Sequence, residues 1–283
     1  MAEILKGAPV AKAITEELAV RAERLRSRGT VPCLAIVRAG ERGDDLAYEA
    51  AAIKRCEKIG IEVRPFRLEA GVDRQELLAV LEQIDRDAGI HGCLMFRPLP
   101  KHLEERRICQ VLRPEKDVDC MTDCSLAGVF TGSGPGFAPC TAQSVIELLE
   151  HYKVELEGKR AVVIGRSLVI GKPVSMLLQG KNATVTMCHT KTRDMAKICR
   201  QAEILVVAAG HAGTVGPEFT NPDQIVVDVG INSLPDGRLT GDVDFAAVEP
   251  MVRAITPVPA GVGSVTTAVL CKHVIQAAER AAI

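Results

Sequence analysis

The chain alternates short apolar runs with longer segments whose apolar residues recur every three or four positions. Val10, Ile14 and Leu18 share one helical face, so residues 9–28 are predicted to form an amphipathic helix. The same patterns then predict strands at 33–37, 61–68 and 92–96, with helices at 45–59 and 73–87. This alternation predicts a parallel sheet wrapped by helices.

A glycine-rich segment at residues 130–137 interrupts the alternation. Its three glycines and one proline are predicted to form a loop that leads into a domain boundary near residue 138. The pattern then restarts, with strands predicted at 160–164, 182–187, 203–209 and 224–229 and helices at 141–151, 170–180, 193–201 and 265–281. The sequence therefore predicts an α/β protein of about two domains, which also suits its 283 residues.

The net charge and the hydropathy of the chain argue against two classes of partner, nucleic acids and membranes. The chain has 35 Lys and Arg against 36 Asp and Glu, so no basic excess exists to neutralise a nucleic-acid backbone. Its longest apolar runs reach about seven residues, far short of a membrane span, and the first residues lack a signal-peptide core. We therefore expect a cytoplasmic protein with neither a nucleic-acid nor a membrane partner.

Ten cysteines are spread along the chain without a Cys-x-x-Cys pair. Cys120 and Cys124 are the closest two, and no second pair follows at the spacing of a zinc site. We interpret the cysteines as reduced thiols that pack as small hydrophobes, and we predict no metal site.

The segment from Arg160 to Pro173 has the pattern of a buried strand, a glycine turn and a helix start. Such a turn brings backbone N–H groups at a helix N-terminus close to a pyrophosphate. The glycines are Gly165 and Gly171, and Ser167 stands where a Gly-x-Gly-x-x-Gly motif has its second glycine. Taken alone, the segment is also compatible with an ordinary turn between a strand and a helix.

The end of the next strand bears on the choice of cofactor. An NAD-binding unit usually carries an acidic residue about 20 positions beyond the turn. Residues 188–193 read Cys-His-Thr-Lys-Thr-Arg, without an acid, and Arg166 lies in the turn itself. Cations and hydroxyls without a carboxylate favour a 2′-phosphate, so NADP is predicted over NAD. Lys191 and Arg193 are equally compatible with solvated loop charges.

Seven segments together resemble the bifunctional methylenetetrahydrofolate dehydrogenase/cyclohydrolase family. They are Pro98–Pro100, Pro114–Asp119, Pro139–Thr141, Val163–Ser167 with Gly171 and Pro173, Asp228–Asn232, Gly241–Val243, and Thr256–Pro259 with Gly261–Gly263. Their order and spacing follow the family over essentially the whole chain, which is therefore identified as a member.

The resemblance implies a fold and a reaction. It implies an α/β folate-binding domain over residues 1–137, completed by the C-terminal helix 265–283, and a Rossmann-type, doubly wound NADP-binding domain over residues 138–264. The active-site cleft would lie between the domains of each subunit in a homodimer. The implied reaction transfers hydride from 5,10-methylenetetrahydrofolate to NADP, and family members usually then hydrolyse the methenyl product to 10-formyltetrahydrofolate.

The family's site residues are carried over by position. The implied NADP contacts are Gly165, Arg166, Ser167, Thr190 and Ile231. The implied substrate contacts are Tyr48, Asp119, Pro259, Gly261, Val262 and Gly263, of which Tyr48 and Asp119 are also the catalytic candidates. Asp119 would accept the amino and ring N–H donors of the pterin, because a carboxylate offers two oxygens. A turn or a helix cap is the structural alternative for Asp119.

Two polar groups of the family's catalytic pattern are missing. Tyr48 stands twelve residues before Gly60, as in the family, but the lysine position four residues further on is Ala52. Lys54 lies about 120° around a helix from Tyr48 and is a poor substitute. The family's glutamine at the end of the third strand is replaced by Phe96.

Further departures from the family are Asp45 for a serine, Arg97 for a leucine, Cys120 and Ala260 for glycines, and Ala142 and Ser264 for prolines. Hydride transfer needs positioning, whereas hydrolysis needs the proton transfers that a tuned lysine supplies. We therefore expect a dehydrogenase with weak or lost cyclohydrolase activity. The alternatives are a fully bifunctional enzyme that uses another group and a non-catalytic paralogue that binds folate and NADP.

Overall fold

Parallel sheets form the centre of both halves of the chain, which a computed structural model describes over residues 1–282. The strands are β1 Glu3–Ile4, β2 Cys33–Ala39, β3 Glu62–Leu68, β4 Gly92–Met95, β5 Arg160–Ile164, β6 Thr184–Cys188, β7 Ile204–Val207, β8 Ile225–Asp228, β9 Asn232–Ser233, β10 Leu239–Thr240 and β11 Ala254–Ile255. The α-helices are α1 Gly7–Ser27, α2 Gly43–Ile59, α3 Arg74–Arg86, α4 Glu105–Cys109, α5 Asp123–Thr131, α6 Cys140–His151, α7 Gly171–Gly180, α8 Met195–Cys199, α9 Phe245–Val248 and α10 Thr266–Ala281. This architecture confirms the predicted two-domain α/β class.

One unit, called the folate-side unit after the ligand that the family resemblance implies for it, contains Lys12–Cys140 and the chain from Thr267 onward. Its sheet has the order β3-β2-β4, and both pairings are parallel. Strands β2 and β4 are almost entirely buried, which explains their unbroken apolar sequences, and β3 is the exposed edge. Helix α3 begins where the side chain of Asp73 accepts the N–H of Glu76 at 2.8 Å, which stabilises the helix start that was predicted at residue 73.

The nucleotide-side unit contains Met1–Ala11 and Thr141–Thr266. Its parallel six-stranded sheet has the order β1-β11-β8-β7-β5-β6. The chain moves outward in one direction from β5 to β6 and in the other from β5 to β7, so the topological switch point lies between β5 and β7. Ligands of doubly wound sheets bind at such a point, beyond the carboxyl ends of the strands.

The unit boundaries differ from the predicted ones at the N-terminus. Residues 1–137 were expected to belong to one domain, but the first eleven residues belong to the nucleotide-side unit because β1 pairs with β11 through Glu3 and Ala254. A two-residue strand has no periodicity that a sequence pattern reveals. Ile283, which the predicted segment 265–283 includes, lies outside the described residues.

Several short elements were not predicted. Helix α5 extends through Thr131 into the segment expected to be a loop, because Thr122 caps its start and Gly132 ends it in the left-handed conformation.

All ten cysteines are free thiols and nine are buried, which confirms their interpretation as reduced, packed side chains. No helix within residues 1–282 has the length and apolar character needed to cross a membrane.

Candidate active site

A glycine turn follows β5 at the switch point of the nucleotide-side sheet. Gly165 has a φ of +131°, and a Cβ atom there would lie 2.3 Å from the carbonyl oxygen of Ala208, just beyond β7. A Cβ at Gly171 would lie 2.3 Å from the carbonyl oxygen of Gly165. Both glycines are therefore required by the close approach of backbone to backbone, and together they form a cradle that side chains would fill.

The cradle ends at the start of α7, where N–H groups and the helix dipole favour an anion. The Ser167 hydroxyl accepts the N–H of Ile170 at 3.1 Å, so this side chain already shapes the turn that precedes the helix. Arg166 is exposed, and its side chain has no hydrogen-bond or ion-pair partner within residues 1–282. Thr190, Lys191 and Arg193 are exposed beyond the end of β6, the strand next to β5. The arrangement is suited to a pyrophosphate with a nearby phosphorylated ribose.

A cavity of about 220 Å³ lies beyond the carboxyl end of β8. It brings together five of the predicted contacts, which are Ile231, Pro259, Gly261, Val262 and Gly263. Leu239, at the start of β10, and Ala260 also line it. Its wall is largely apolar, which suits the flat face of a ring.

Two buried carboxylates hold the loops around this cavity. Asp228 accepts N–H groups from Gly230 at 2.9 Å, Asp242 at 3.1 Å and Val243 at 2.9 Å. Burial raises the pKa of Asp228 to about 6, although these three N–H donors act in the opposite direction. The carboxylate of Asp242 in turn accepts the N–H of Ala209 at 2.7 Å. The loops after β7 and β8 are thereby tied to the segment that follows β10.

Sequence reasoning quoted these two aspartates only as family marks and missed their structural role. A signal was present, because Asp228 ends a buried apolar strand two residues before Gly230, and Asp242 directly follows Gly241. A Cβ at Gly230 would lie 2.2 Å from the Asp242 carboxyl carbon, and one at Gly241 would lie 1.9 Å from Asp228 Oδ2. The glycines make room for the carboxylates.

Tyr48 and Phe96 meet in the folate-side unit, beyond the carboxyl end of β4. Their ring centroids are 6.0 Å apart and the rings are nearly perpendicular, at 83°. Ala52, one helical turn after Tyr48 on α2, is completely buried, whereas Lys54 is exposed. The structure therefore places Phe96 against Tyr48 and buries the Ala52 methyl group one turn further along the same helix as Tyr48.

The polar groups near this region are already engaged with one another. Arg42 donates to both carboxylate oxygens of Asp45, at 2.8 and 2.7 Å, and to the carbonyl oxygen of Arg97 at 3.0 Å. Asp45 is buried in this ion pair. The pair fixes the start of α2 against the segment after β4.

Asp119 and Asp117 divide two roles in the segment before α5. Asp117 is fully buried and accepts the N–H groups of Met121 at 2.8 Å and Thr122 at 2.9 Å, together with the Thr122 hydroxyl at 2.7 Å. Asp117 therefore fixes the turn that leads into α5, the helix that Thr122 caps. Asp119 accepts the N–H of Cys140 at 3.1 Å, which also ties it to the start of α6.

The charge state of Asp119 reflects opposing influences. Burial raises the pKa of Asp119, whereas the hydrogen bonds from Cys140 and the positive charge of Arg97 lower it. Only the Cys140 N–H donates to Asp119 from the backbone within residues 1–282, against two backbone donors to Asp117. Asp119 therefore keeps more capacity to accept donors from a ligand.

Comparison with known proteins decides the family. Residues 5–119 match the model of the tetrahydrofolate dehydrogenase/cyclohydrolase catalytic domain, and residues 139–282 match that of its NAD(P)-binding domain. The chain belongs to the tetrahydrofolate dehydrogenase/cyclohydrolase family. It is therefore an enzyme of the methylenetetrahydrofolate dehydrogenase/cyclohydrolase class.

Individual members of the family are similar over their full length. The bifunctional protein FolD of Carboxydothermus hydrogenoformans is 52% identical over 99% of this chain and 98% of its own. The bifunctional FolD structure from Campylobacter jejuni has a TM-score of 0.95 at 36% identity and covers 99% of both chains. The FolD structure from Trypanosoma brucei, in complex with NADP and an inhibitor, has a TM-score of 0.92 at 35% identity and covers 99% of this chain and 98% of its own. The matched NAD(P)-binding domain and the NADP held by the trypanosomal relative confirm the predicted cofactor, NADP.

Two departures from the tetrahydrofolate dehydrogenase/cyclohydrolase pattern leave a mark on the backbone. Cys120 and Ala260, at positions for which the family resemblance implies glycine, have φ angles of +57° and +80°. Both residues thus keep the left-handed conformation that favours glycine, at a cost of about 1–2 kcal/mol each.

Proposed function

We propose that this enzyme oxidises 5,10-methylenetetrahydrofolate with NADP and releases 5,10-methenyltetrahydrofolate, with weak or no cyclohydrolase activity. One observation carries the second half of this proposal. Tyr48 is present, but the positions that hold lysine and glutamine in the family pattern are a completely buried Ala52 and a Phe96 whose ring packs on Tyr48. Neither side chain exchanges protons.

The dehydrogenase half depends on groups that this chain retains. Backbone N–H groups of the Gly165 turn and of α7 bind the pyrophosphate, and Arg166 and Thr190 bind the 2′-phosphate. When bound, NADP supplies the carbon that accepts the hydride. The cavity lined by Ile231 and Gly261 holds the reacting rings in place, and positioning of this kind supplies much of the rate of a two-substrate reaction.

Asp119 orients the folate. The pterin presents adjacent N–H donors, and the Asp119 carboxylate accepts them with oxygens that the backbone does not saturate. The bound pterin replaces the water lost on burial and favours the ionised carboxylate. Tyr48 packs beside it and shapes the site.

Hydrolysis makes a different demand. A water molecule must lose a proton as its oxygen bonds to the methenyl carbon, and a ring nitrogen must gain one as the carbon–nitrogen bond breaks. Asp45 is tied to Arg42, and a guanidinium such as that of Arg97 is a poor proton shuttle. Loss of a general acid–base group typically slows such a step about 10²–10⁴-fold.

The experiment follows both products. With methylenetetrahydrofolate and NADP, the unmodified enzyme is expected to form NADPH and methenyltetrahydrofolate in equal amounts, as measured by chromatographic separation of methenyl and formyl compounds. Formyl product that appears in proportion to enzyme, and as fast as NADPH, would contradict the proposal.

Restoring the missing pair tests the cause. Ala52→Lys with Phe96→Gln is expected to gain cyclohydrolase activity at least tenfold more than either single change, because the two groups act as a unit. Ala52 is buried, so the new lysine must extend along α2 to bring its ammonium group beside Tyr48. Ala51→Lys, at an exposed position on the same helix, is the matched control and should gain nothing.

The second candidate is a fully bifunctional enzyme. The name of the Carboxydothermus relative, which is 52% identical, favours it. A different proton-transfer group would then do the work of the lysine, and the product ratio described above separates the two candidates.

We also propose a cytoplasmic homodimer, as the family resemblance implies. Light scattering coupled to size-exclusion chromatography tests the dimer, for which twice the monomer mass of 30.3 kDa is expected.

A further inference from the structure

A second cavity, of about 480 Å³, lies at the opposite end of the folate-side sheet from Tyr48 and Phe96. It opens beside Ile90, just before β4 begins, whereas Phe96 follows the end of that strand. Its charged and polar lining consists of Arg86, His91, Arg113, Glu115, Lys116 and Arg280. The remaining lining residues are apolar: Ala88, Ile90, Ala277 and Ala281. The uncharged part of a ligand can contact these side chains.

Cations outnumber acids on the inner surface of this cavity. Arg86, Arg113, Lys116 and Arg280 line it against a single carboxylate, that of Glu115. The carboxylates that pair with these arginines do not line the cavity. Asp85 lies 3.1 Å from Arg113 Nε, and Glu82 lies 3.0 Å from Arg86 Nη2. These ion pairs reduce the net positive charge of the cluster. The two arginines nevertheless line the cavity, whereas their two carboxylate partners do not.

Part of this basic cluster has a purely structural task. The ammonium of Lys116 donates to the carbonyl oxygens of Ile84 at 2.8 Å, Asp85 at 2.9 Å and Asp87 at 2.7 Å. All three of its protons are therefore used to cap the end of α3, where the helix dipole favours a cation. Lys116 contributes charge to the cavity but no donor to a ligand.

Other donors are not used up. His91 is only 7% exposed, and its Nδ1 accepts the N–H of Cys33 at 3.2 Å, so its proton sits on Nε2. Burial, reinforced by the charge of Lys116, lowers the pKa of His91 and keeps the ring neutral at pH 7. Within residues 1–282, Nε2 of His91 has no partner.

The arginines also keep free N–H groups. Arg113 uses Nε and Nη2 on Asp85, and its Nη1 has no partner within the described chain. Arg280 donates Nη1 to the carbonyl of Pro135 and lies 4.5 Å from the centre of the Phe137 ring, which leaves Nη2 without a described partner. The ring fixes the guanidinium in place, so less side-chain entropy is lost when an anion binds.

We propose that this cavity binds a multiply charged oxyanion, of phosphate or carboxylate type, through Arg113, Arg280 and His91. Planar guanidinium groups match the paired oxygens of such anions, and one half-exposed ion pair would contribute little by itself. Several donors from a strand start, a loop and a helix end converge here, so a ligand with at least two negative charges is needed to engage them. The cavity is larger than one phosphate group and accommodates a longer anion.

Isothermal titration calorimetry at low ionic strength tests the proposal, with inorganic pyrophosphate and citrate as the two probes. The enzyme is kept saturated with NADP, so that the glycine turn after β5 does not bind the pyrophosphate. One site per chain is expected for at least one probe, and its affinity should fall as NaCl is added. The tighter probe shows whether phosphate or carboxylate oxygens are preferred. Absence of saturable binding by both probes would overturn the proposal.

Variants with opposite expected effects make the test specific. Arg280→Gln and Arg113→Gln should each weaken binding at least tenfold, whereas Arg24→Gln, the same change at an exposed position on α1, should leave it unchanged. Glu115→Gln should strengthen binding several-fold, because it removes the carboxylate that faces the ligand. Destabilisation of the fold does not make a ligand bind more tightly, so a gain in affinity by Glu115→Gln has a specific cause. A Glu115→Gln variant without a gain in affinity would overturn the proposal. Equal losses of affinity in Arg280→Gln, Arg113→Gln and Arg24→Gln would also overturn it. The titration does not use the reaction, so its outcome is independent of the proposed dehydrogenase activity.

Discussion

The glycine turn after β5 and the region around Tyr48 differ in which atoms do the chemistry. At the turn, the groups proposed to bind NADP are backbone N–H groups, and the requirement is for space, which Gly165 and Gly171 meet by having no side chain. Around Tyr48, the proposed chemistry depends on side chains, and the positions for which the family resemblance implies polar groups hold Ala52, whose methyl group is buried, and Phe96, whose ring packs on Tyr48. A backbone site is lost only with its fold, whereas a side-chain site is lost by substitution alone.

The strongest test of this comparison is Gly165→Ala. The new Cβ would lie 2.3 Å from a backbone oxygen at a φ of +131°, so we expect NADP affinity to fall at least about 100-fold, or the nucleotide-side unit to unfold. Titration with NADP and thermal unfolding separate these results. Gly180→Ala, at the end of α7 with nothing within 4 Å, should change neither quantity. Normal NADP binding by Gly165→Ala would show that the turn does not depend on the space that a glycine leaves there.

Asp119→Asn tests the side-chain half. The amide turns one acceptor into a donor that faces the donors of the pterin, so folate affinity should fall by about tenfold or more while NADP affinity stays the same. Asp117→Asn is the contrast, because its three donors are internal, and it should lower the free energy of unfolding by about 1–3 kcal/mol. Calorimetry and denaturant titration measure the two effects. If Asp119→Asn lost stability and kept folate affinity, Asp119 would have to be assigned a structural role.

Arg166→Ala compares side-chain and backbone groups within the proposed nucleotide site. It removes one side chain and leaves the backbone N–H groups of the turn in place. We expect the KM for NADP to rise about tenfold and that for NAD to change little, because only NADP carries the 2′-phosphate. Arg160→Ala, at the other end of β5, is the matched control. Equal KM values for the two cofactors in the unmodified enzyme would show that the preference has been misassigned.

The smallest expected effect concerns Ala260. Its φ of +80° is a conformation in which glycine is less strained, so Ala260→Gly should raise the free energy of unfolding by about 1 kcal/mol, after the greater flexibility of unfolded glycine is deducted. Denaturant titration measures this difference. A loss of stability would mean that the Ala260 methyl contributes packing that exceeds its strain.

The sequence predicted the parts of the fold that have a strong local pattern. The buried runs of β2, β5 and β8 and the periodicity of α1 were found within a few residues of their observed bounds. Strands β1 and β11 were missed because two residues carry no period and their pairing joins the two ends of the chain. Helices α4 and α5 were missed because one is five residues long and the other lies next to a glycine-rich segment.

The sequence could assign roles in the candidate site only where the type of residue at a motif position is enough to imply the role. The residues carried over by position include Ile231 and Gly261, which line one cavity, whereas the contact between Tyr48 and Phe96 was not expected from the sequence. The sequence did not separate Asp117 from Asp119, because the difference is the number of backbone donors that each receives. Nor did it show that Asp45 is neutralised by Arg42, since that pairing depends on how the first turn of α2 presents both side chains.

The pairing of β1 with β11 has a consequence for synthesis on the ribosome. Glu3 finds Ala254 only after nearly the whole chain has emerged, and the folate-side unit likewise needs residues from Thr267 onward. Neither unit is a contiguous stretch, so neither closes before its last segment has been made, and contacts between such distant residues slow folding. A nascent chain therefore leaves β1 without its partner until β11 has been made, and leaves the folate-side core uncovered until α10 has been made. Chaperone dependence during synthesis is expected to exceed that of a protein whose domains follow one another along the sequence.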